Sequence, residues 1–237
     1  MSRPLAVVTG TTSGIGEALT RRLLDEGWAV IGLARRPASI VDANYEHVQL
    51  DLTDTRALAA WIDALPHRKD GVTLLVNNAG VGHFMPHEEL SPQQIEQMVA
   101  LNLTAPLILA RGFLRSIKHK QGWIIQIASF SAHESSAFGA TYAATKAALK
   151  HFSDSLFDEV RRSGAKVVSI SPDITRTAFF DHLSFAPEDD ASAAISPACI
   201  AETVSGILNQ REGTVTTNVV LRPQRLLLKK GRRDLQG

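Results

Sequence analysis

The feature that most restricts the fold is alternation: short apolar runs recur along the chain, and longer stretches of helical periodicity lie between them. The runs are Leu5–Thr9, Ala29–Ala34, His47–Leu50, Thr73–Asn77, Trp123–Ala128, Val167–Ser171 and Val215–Leu221. Several are apolar almost throughout, the pattern of a sheet covered on both faces. Helices are expected to begin near Gly14, Thr53, Ser91, Thr141 and Pro197. Ser91-Pro92 and Ser196-Pro197 each place a capping hydroxyl before a first-turn proline. The pattern predicts a single-domain α/β architecture: a doubly wound, mostly parallel, seven-stranded sheet with right-handed crossovers and helices on both faces. No repeat or linker interrupts residues 1–237, and 44% hydrophobic residues suffice for one substantial core.

In such sheets ligands bind beyond the carboxyl ends of the strands, and the unusual polar residues fall there. The first run leads into T-G-T-T-S-G-I-G, in which Gly10, Thr12, Ser13, Gly14, Ile15 and Gly16 form a turn into a helix whose first amides can face a pyrophosphate. Its G-x-x-x-G-x-G spacing departs from G-x-G-x-x-G, and a plain strand-to-helix connection would use glycines in the same way. Arg35 and Arg36 follow the second run, Asp51 the third, Asn77 and Asn78 the fourth, Ser129 and Ser131 the fifth, and Pro172 and Asp173 the sixth. Each alone could be a turn residue; together they favour a nucleotide-sized ligand. In T-Y-A-A-T-K, Tyr142 and Lys146 stand four apart and so share a helix face, either as surface decoration or as an acid-base device.

Other features bound the class. The single cysteine, Cys199, precludes an intrachain disulfide, is expected to pack, and makes a reducing cytoplasmic setting the natural expectation. The N-terminal apolar run is too short for a signal peptide, and no uninterrupted apolar stretch nears the ~18 residues of a membrane span, so no membrane partner is expected. The net charge of +1 conceals a basic tail, 222–237, in which six Lys and Arg face Asp234 alone. A solvated or partly disordered end is expected there, with no nucleic-acid role. The irregular stretch 175–196 reads as a substrate lid. Its Phe179, Phe180 and Phe185 either form an apolar contact surface or pack against the domain, and both readings stay open. His133, His182 and the segment H-E-S-S-A-F are placed near the pocket, but no ligand spacing joins them, and no metal is expected.

Five motifs in order resemble the short-chain dehydrogenase/reductases over nearly the whole chain. They are Thr9–Gly16, the N-N-A-G of Asn77–Gly80, Asn102 in A-L-N-L, Ser129 thirteen residues before the tyrosine, and Tyr142 with Lys146 as Y-x-x-x-K. Two departures stand out: Ala128 precedes Ser129 where a second serine is common, and Asp173 replaces the glycine that usually follows Pro172. The resemblance implies a Rossmann-like fold and a catalytic set of Asn102, Ser129, Tyr142 and Lys146. Tyr142 would deliver the proton, with its pKa lowered by Lys146, while Ser129 donates to the substrate oxygen and Asn102 holds a relay water. Lys146 would also bind the nicotinamide ribose. The implied cofactor contacts add Leu52, Asn78, Ala79, Gly80, Pro172, Ile174 and Thr177 to the glycine turn, with Asp51 near the adenine unless that segment merely caps a helix. Enzymes that prefer NAD usually place an acidic residue where this chain has Ala34, whereas Arg35 could pair with a 2′-phosphate and Arg36 either adds charge or faces solvent; NADP(H) is therefore expected. The expected activity is hydride transfer between NADP(H) and a small-molecule carbonyl or secondary alcohol by a homo-dimer or homo-tetramer. A non-catalytic NADP(H)-sensing regulator is the alternative.

Overall fold

A computed structural model describes residues 3–65, 71–181, 183 and 185–230. Seven strands form one parallel sheet: β1 (Leu5–Thr9), β2 (Ala29–Ala34), β3 (Tyr45–Gln49), β4 (Val72–Asn77), β5 (Trp123–Ile127), β6 (Lys166–Pro172) and β8 (Asn218–Leu221), in the order β3-β2-β1-β4-β5-β6-β8. The order reverses between β1 and β4, which opens a crevice at their carboxyl ends. Helices α1 (Gly14–Asp25), α2 (Thr55–Asp63), α3 (Pro92–Val99), α4 (Ala105–His119), α5 (Ala140–Val160) and α6 (Pro197–Leu208) cover both faces.

Alternate strand residues supply two cores. Ala6, Val8, Leu74, Val76, Ile125 and Ile170 pack under Leu19 and Leu23 of α1 and Ile200 and Val204 of α6. Val7, Leu75, Ile124 and Val167 face Leu58, Leu109, Phe113 and Leu156 on the other side. Burying side chains of this size contributes about 1.5–3 kcal/mol each, which makes the sheet a rigid platform for its carboxyl edge.

The expected helix starts hold closely. Ser91 caps α3 in a capping box with Gln94, and Ser196 caps α6 by accepting from the Cys199 amide. The second helix begins at Thr55 rather than Thr53, because Asp54 accepts from the Arg56 and Ala57 amides. The last strand of the main sheet starts three residues late, at Asn218. The Gln210 side-chain amide brackets Thr216, donating to its hydroxyl at 2.6 Å and accepting from its backbone amide at 3.3 Å.

Three expectations need correction. The first part of the basic tail is docked, because β9 (Leu228–Lys230) pairs antiparallel with β7 (Phe185–Pro187) of the lid stretch. Arg225 and Lys229 bond Asp190 and Asp189 of that stretch, and Arg222 bonds Asp173 just after β6, so acidic side chains meet the basic ones of the tail. Arg232, Arg233 and Asp234 lie outside the described residues. Secondly, Cys199 is exposed, in the first turn of α6, where its thiol meets the Ser196 hydroxyl. Thirdly, Pro92–His119 runs as a single helical stretch long and apolar enough, by length and composition alone, to cross a membrane. Counting uninterrupted apolar residues missed it; here its buried face, including Leu109, Phe113 and Ile117, packs on the sheet.

Candidate active site

A cleft of about 810 Å³ opens along the carboxyl edge of the sheet. Its first wall is the turn from β1 into α1. Gly10 (φ +74°) and Gly14 (φ +58°) adopt left-handed conformations that side chains resist. A Cβ on Gly16 would lie 2.1 Å from the Gly10 carbonyl oxygen, so that position admits no side chain. Ser13 occupies the N-cap without a side-chain bond, and both it and Gly14 line the cleft. The start of α1 therefore offers backbone N–H groups that no capping side chain uses, the arrangement suited to a phosphate.

Asn78 pins this turn. Its Nδ2 donates to the Thr9 carbonyl at 2.8 Å, and the Thr9 hydroxyl accepts from the Asn78 and Ala79 amides, both at 2.9 Å. The N-N-A-G segment thus holds the glycine turn in shape as well as lining the cleft with Asn78, Ala79 and Gly80. A Cβ on Gly80 would stand 3.3 Å from both Lys146 Nζ and Asn102 Oδ1, so the missing side chain lets backbone and base pack closely.

At the far end of the crevice, Arg35 and Arg36 follow β2 with exposed side chains, beside Asp51 and the buried Leu52. Asp51 accepts from the Thr53 amide at 2.9 Å and the Thr53 hydroxyl at 2.8 Å. Burial pushes its carboxyl up, but those bonds and the charge of Arg35 outweigh this and hold it below the usual carboxylate range. Capping of α2 falls to Asp54, leaving Asp51 at the cleft.

The chemical end is built on β5 and α5. Ser129 ends the β5 run and accepts from the Ser131 amide at 3.2 Å. Tyr142, in the first turn of α5, is hydrogen-bonded to Ser129. Lys146 lies one turn on, its Nζ donating to the Ile127 carbonyl at 2.9 Å and sitting 5.8 Å from the Tyr142 ring centroid. Burial pushes the Tyr142 phenol up to about 12, the Ser129 bond only partly opposing it, and burial lowers Lys146 to about 8. The expectation that Lys146 depresses the phenol is therefore corrected: both groups are desolvated, and the ammonium is turned to a carbonyl.

Asn102 sits in a five-residue π-helical turn, Ala100–Thr104, between α3 and α4. Such turns are frequent at functional sites because they re-aim one side chain. Here Asn102, fully buried, accepts from the Val81 amide at 2.9 Å and donates to the Val81 carbonyl at 2.8 Å and to the Thr145 hydroxyl at 3.1 Å. It braces the segment after Gly80 against α5 from behind the cleft wall.

Gly10, Thr12, Ser13, Gly14, Ile15, Arg35, Arg36, Asp51, Leu52, Asn78, Ala79, Gly80, Ser129, Tyr142, Lys146, Pro172, Ile174 and Thr177 all border the cleft. Gly16 and Asn102 lie behind it. His133 is drawn away from the pocket, its Nε2 pairing with the Ser171 hydroxyl at 2.9 Å, while Ser136 and Ala137 of the same segment border the cleft. His182 lies outside the described residues. Asp173, in place of the expected glycine, has no left-handed φ; its carboxylate accepts from the Ile174 amide at 2.9 Å and pairs with Arg222 at 3.2 Å. Arg222 in turn lies 4.1 Å over the Phe130 ring, next to Ser129.

Val81–Met85 was missed by the sequence reading, although it follows N-N-A-G directly and carries a further glycine, Gly82, before an aromatic residue. It brings Phe84 to 5.2 Å from the Tyr142 ring, and Phe179 of the lid stretch lies at 5.9 Å.

Comparison with known proteins agrees with this geometry. Residues 4–186 match the family model of the short chain dehydrogenases. A serine 3-dehydrogenase from Agrobacterium fabrum is 32% identical over 180 residues, covering 73% of this chain and 72% of that protein. An NADP-dependent 3-hydroxy acid dehydrogenase from Escherichia coli (strain K12) is 28% identical over 215 residues, covering 84% and 87%. Among solved structures, an alcohol dehydrogenase from Thermococcus sibiricus complexed with 5-hydroxy-NADP superposes with a TM-score of 0.81 at 25% identity, covering 94% of this chain and 97% of that one.

Proposed function

Because the chain belongs to the short chain dehydrogenase family and is thus an oxidoreductase, we propose that it transfers a hydride between NADP(H) and a carbonyl or secondary alcohol, with Tyr142 as the acid-base group. The single observation that carries this reading is the meeting of Ser129, Tyr142 and Lys146 at the end of a glycine-cradled cleft. The glycine turn with its free helix start, the opening beside Gly80 and the arginines after β2 fit a nicotinamide dinucleotide phosphate.

The cofactor, when bound, supplies or accepts the hydride. In the reductive direction the Tyr142 phenol, protonated at neutral pH because burial holds its pKa near 12, gives its proton to the carbonyl oxygen. Ser129 donates a hydrogen bond to that oxygen as charge grows on it. In the oxidative direction the phenolate must form; burial opposes this, and the Ser129 hydroxyl offsets part of that cost. Lys146 would also hold the cofactor ribose. Asn102 keeps the base wall in register, and because Val81 occupies both ends of its amide, a relay water would use the remaining lone pair of Oδ1.

Arg35, with Ala34 leaving room, would be the 2′-phosphate contact, and the NADP dependence of the E. coli relative and the 5-hydroxy-NADP bound by the Thermococcus protein support NADP(H). The stretch 175–196 serves as the substrate lid, and pairing of chains through α3–α4 and α5 would give a homo-dimer or homo-tetramer. NADPH absorbance with ketones, aldehydes and 3-oxo esters tests the reading. Turnover with NADPH in preference to NADH is expected; a protein that binds NADPH yet turns over no member of the panel would contradict it.

A further inference from the structure

The substrate end of the cleft, resting on the oxidoreductase reading above, is walled by aromatic rings rather than by groups that would receive an anion. Phe84 contacts Tyr142, Phe179 and Phe185 at centroid distances of 5.2, 6.3 and 5.6 Å. Phe180 extends the cluster to Phe179 and Phe185 at 5.5 and 5.7 Å. These rings come from two separate segments, 81–85 and 178–185, and meet over the phenol. Gly82 makes the assembly possible: a Cβ there would lie 2.6 Å from Phe84, 2.7 Å from Phe179 and 3.2 Å from Tyr142. At the mouth, Phe138 is 65% exposed with φ +60°, and the Met85 amide donates to its carbonyl at 2.9 Å. An aromatic residue in the left-handed region is a costly arrangement that surroundings must impose.

Charge points the same way. Among the described residues bordering the cleft between Val81 and Met85 and between Thr175 and Phe185, the one Asp, Glu, Lys or Arg side chain is the exposed Asp181, while the His83 ring is engaged, its Nε2 pairing with Gln97 Oε1 at 3.1 Å. Arg176 is turned outward, its Nη2 donating to the Glu188 and Asp190 carbonyls at 2.7 and 2.9 Å. A carboxylate brought here would lose water without gaining a cationic partner and would meet Asp181 besides. An aryl group would stack edge-to-face on Phe84 and Phe179.

We propose that the substrate is a neutral, aryl-bearing or similarly apolar ketone or its alcohol, held by Phe84 and Phe179, and that carboxylate-bearing substrates are disfavoured. In the reductive step the C–H bond of the NADPH nicotinamide breaks and its hydrogen, with the electron pair, forms the new C–H bond; the carbonyl π pair moves onto oxygen, which takes the Tyr142 proton, leaving NADP⁺, the alcohol and a phenolate that regains its proton from water.

A near-isosteric pair differing in charge tests this: 4-acetylbenzamide and 4-acetylbenzoate, assayed for turnover with NADPH and, by calorimetry, for binding to the protein. The expected result is reduction of the amide over the acid by about a hundredfold or more in kcat/KM, with tighter binding of the amide. Phe84→Ala and Phe179→Leu should each raise KM for the amide several-fold more than they lower kcat. Equal or better use of the acid, or oxidation of L-serine with NADP⁺ while neither ketone reacts, overturns the substrate class and leaves the oxidoreductase reading standing. Failure of every neutral and acidic substrate, with NADPH still bound, overturns both.

Discussion

The two sides of the cleft are held together by different physics. On the glycine-turn side the anchoring groups are buried or half-buried and tied to backbone: Asn78 to Thr9, Lys146 to Ile127, Asn102 to Val81. On the lid side, the stretch from Thr175 is fastened to the C-terminal segment by a three-residue ladder and by exposed ion pairs such as Lys229–Asp189, whose carboxylate is 88% exposed. Aromatic edges complete that side. Buried hydrogen bonds to backbone tolerate little displacement, whereas exposed pairs and ring contacts rearrange cheaply. Under the proposed function, the first side would fix the reaction and the second would select the substrate.

The largest effect expected on this contrast is at Gly16. Gly16→Ala forces a methyl against the Gly10 carbonyl, 2.1 Å from the ideal Cβ position, and should abolish NADPH binding by calorimetry and lower Tm. Unchanged NADPH affinity would remove the glycine turn from the cofactor site.

Lys146 separates function from stability. Its folded pKa is lowered from 10.5 to about 8 by burial, so between those values the unfolded chain binds more protons and stability rises with pH. Tyr142, raised from 10.0 to about 12, acts in the opposite sense above pH 10, so the window to read is pH 8 to 10. At pH 7 the buried ammonium costs on the order of 3 kcal/mol by its shift alone. Lys146→Met should lose turnover, gain Tm at pH 7 and flatten the pH 8–10 rise in urea melts. A variant less stable than wild type at pH 7 would show that the Ile127 bond outweighs desolvation.

A smaller effect is expected at the adenosine end. A charge-assisted contact to the 2′-phosphate contributes about 1.5–3 kcal/mol, roughly ten- to a hundredfold in affinity. Ala34→Asp with Arg35→Ala should reverse the NADPH preference, and Arg36→Ala should change it less, read as paired dissociation constants at fixed low salt. Equal affinity of wild type for both cofactors would take Arg35 out of the site.

The smallest effect is expected on the lid. Asp189→Asn removes the partner of Lys229 and should move KM by about twofold or less, with kcat unchanged, as added salt also should. A tenfold loss of kcat would mean that the lid shapes the reacting geometry itself.

The same contrast explains what the chain made legible. Strand runs such as Leu5–Thr9 and Ala29–Ala34 match the structure residue for residue, because a doubly covered sheet demands unbroken apolar runs. The glycine-turn wall of the cleft was readable because glycine conformations and fixed spacings leave marks in sequence. Phe84 escaped because its place over Tyr142 depends on the path of a loop, not on any period. The docking of β9 escaped because a basic run reads as solvated until the acidic partners, Asp189 and Asp190, are brought beside it in space. The phenol's raised pKa depends on burial, which no spacing records. Asn77, Gln126 and Ser169 stand in register as a polar row across the central strands; of these, Gln126 and Ser169 were hidden inside otherwise apolar runs.

The most direct measurement is Tyr142→Phe, assayed in parallel for steady-state turnover of a reducible ketone and for NADPH affinity. Loss of the proton donor should lower kcat by about 10²–10⁴-fold or more while the NADPH dissociation constant stays within about twofold, since the phenol delivers a proton and does not grip the cofactor. Retention of most of the wild-type kcat by Tyr142→Phe would contradict the assignment of Tyr142 as the acid-base group.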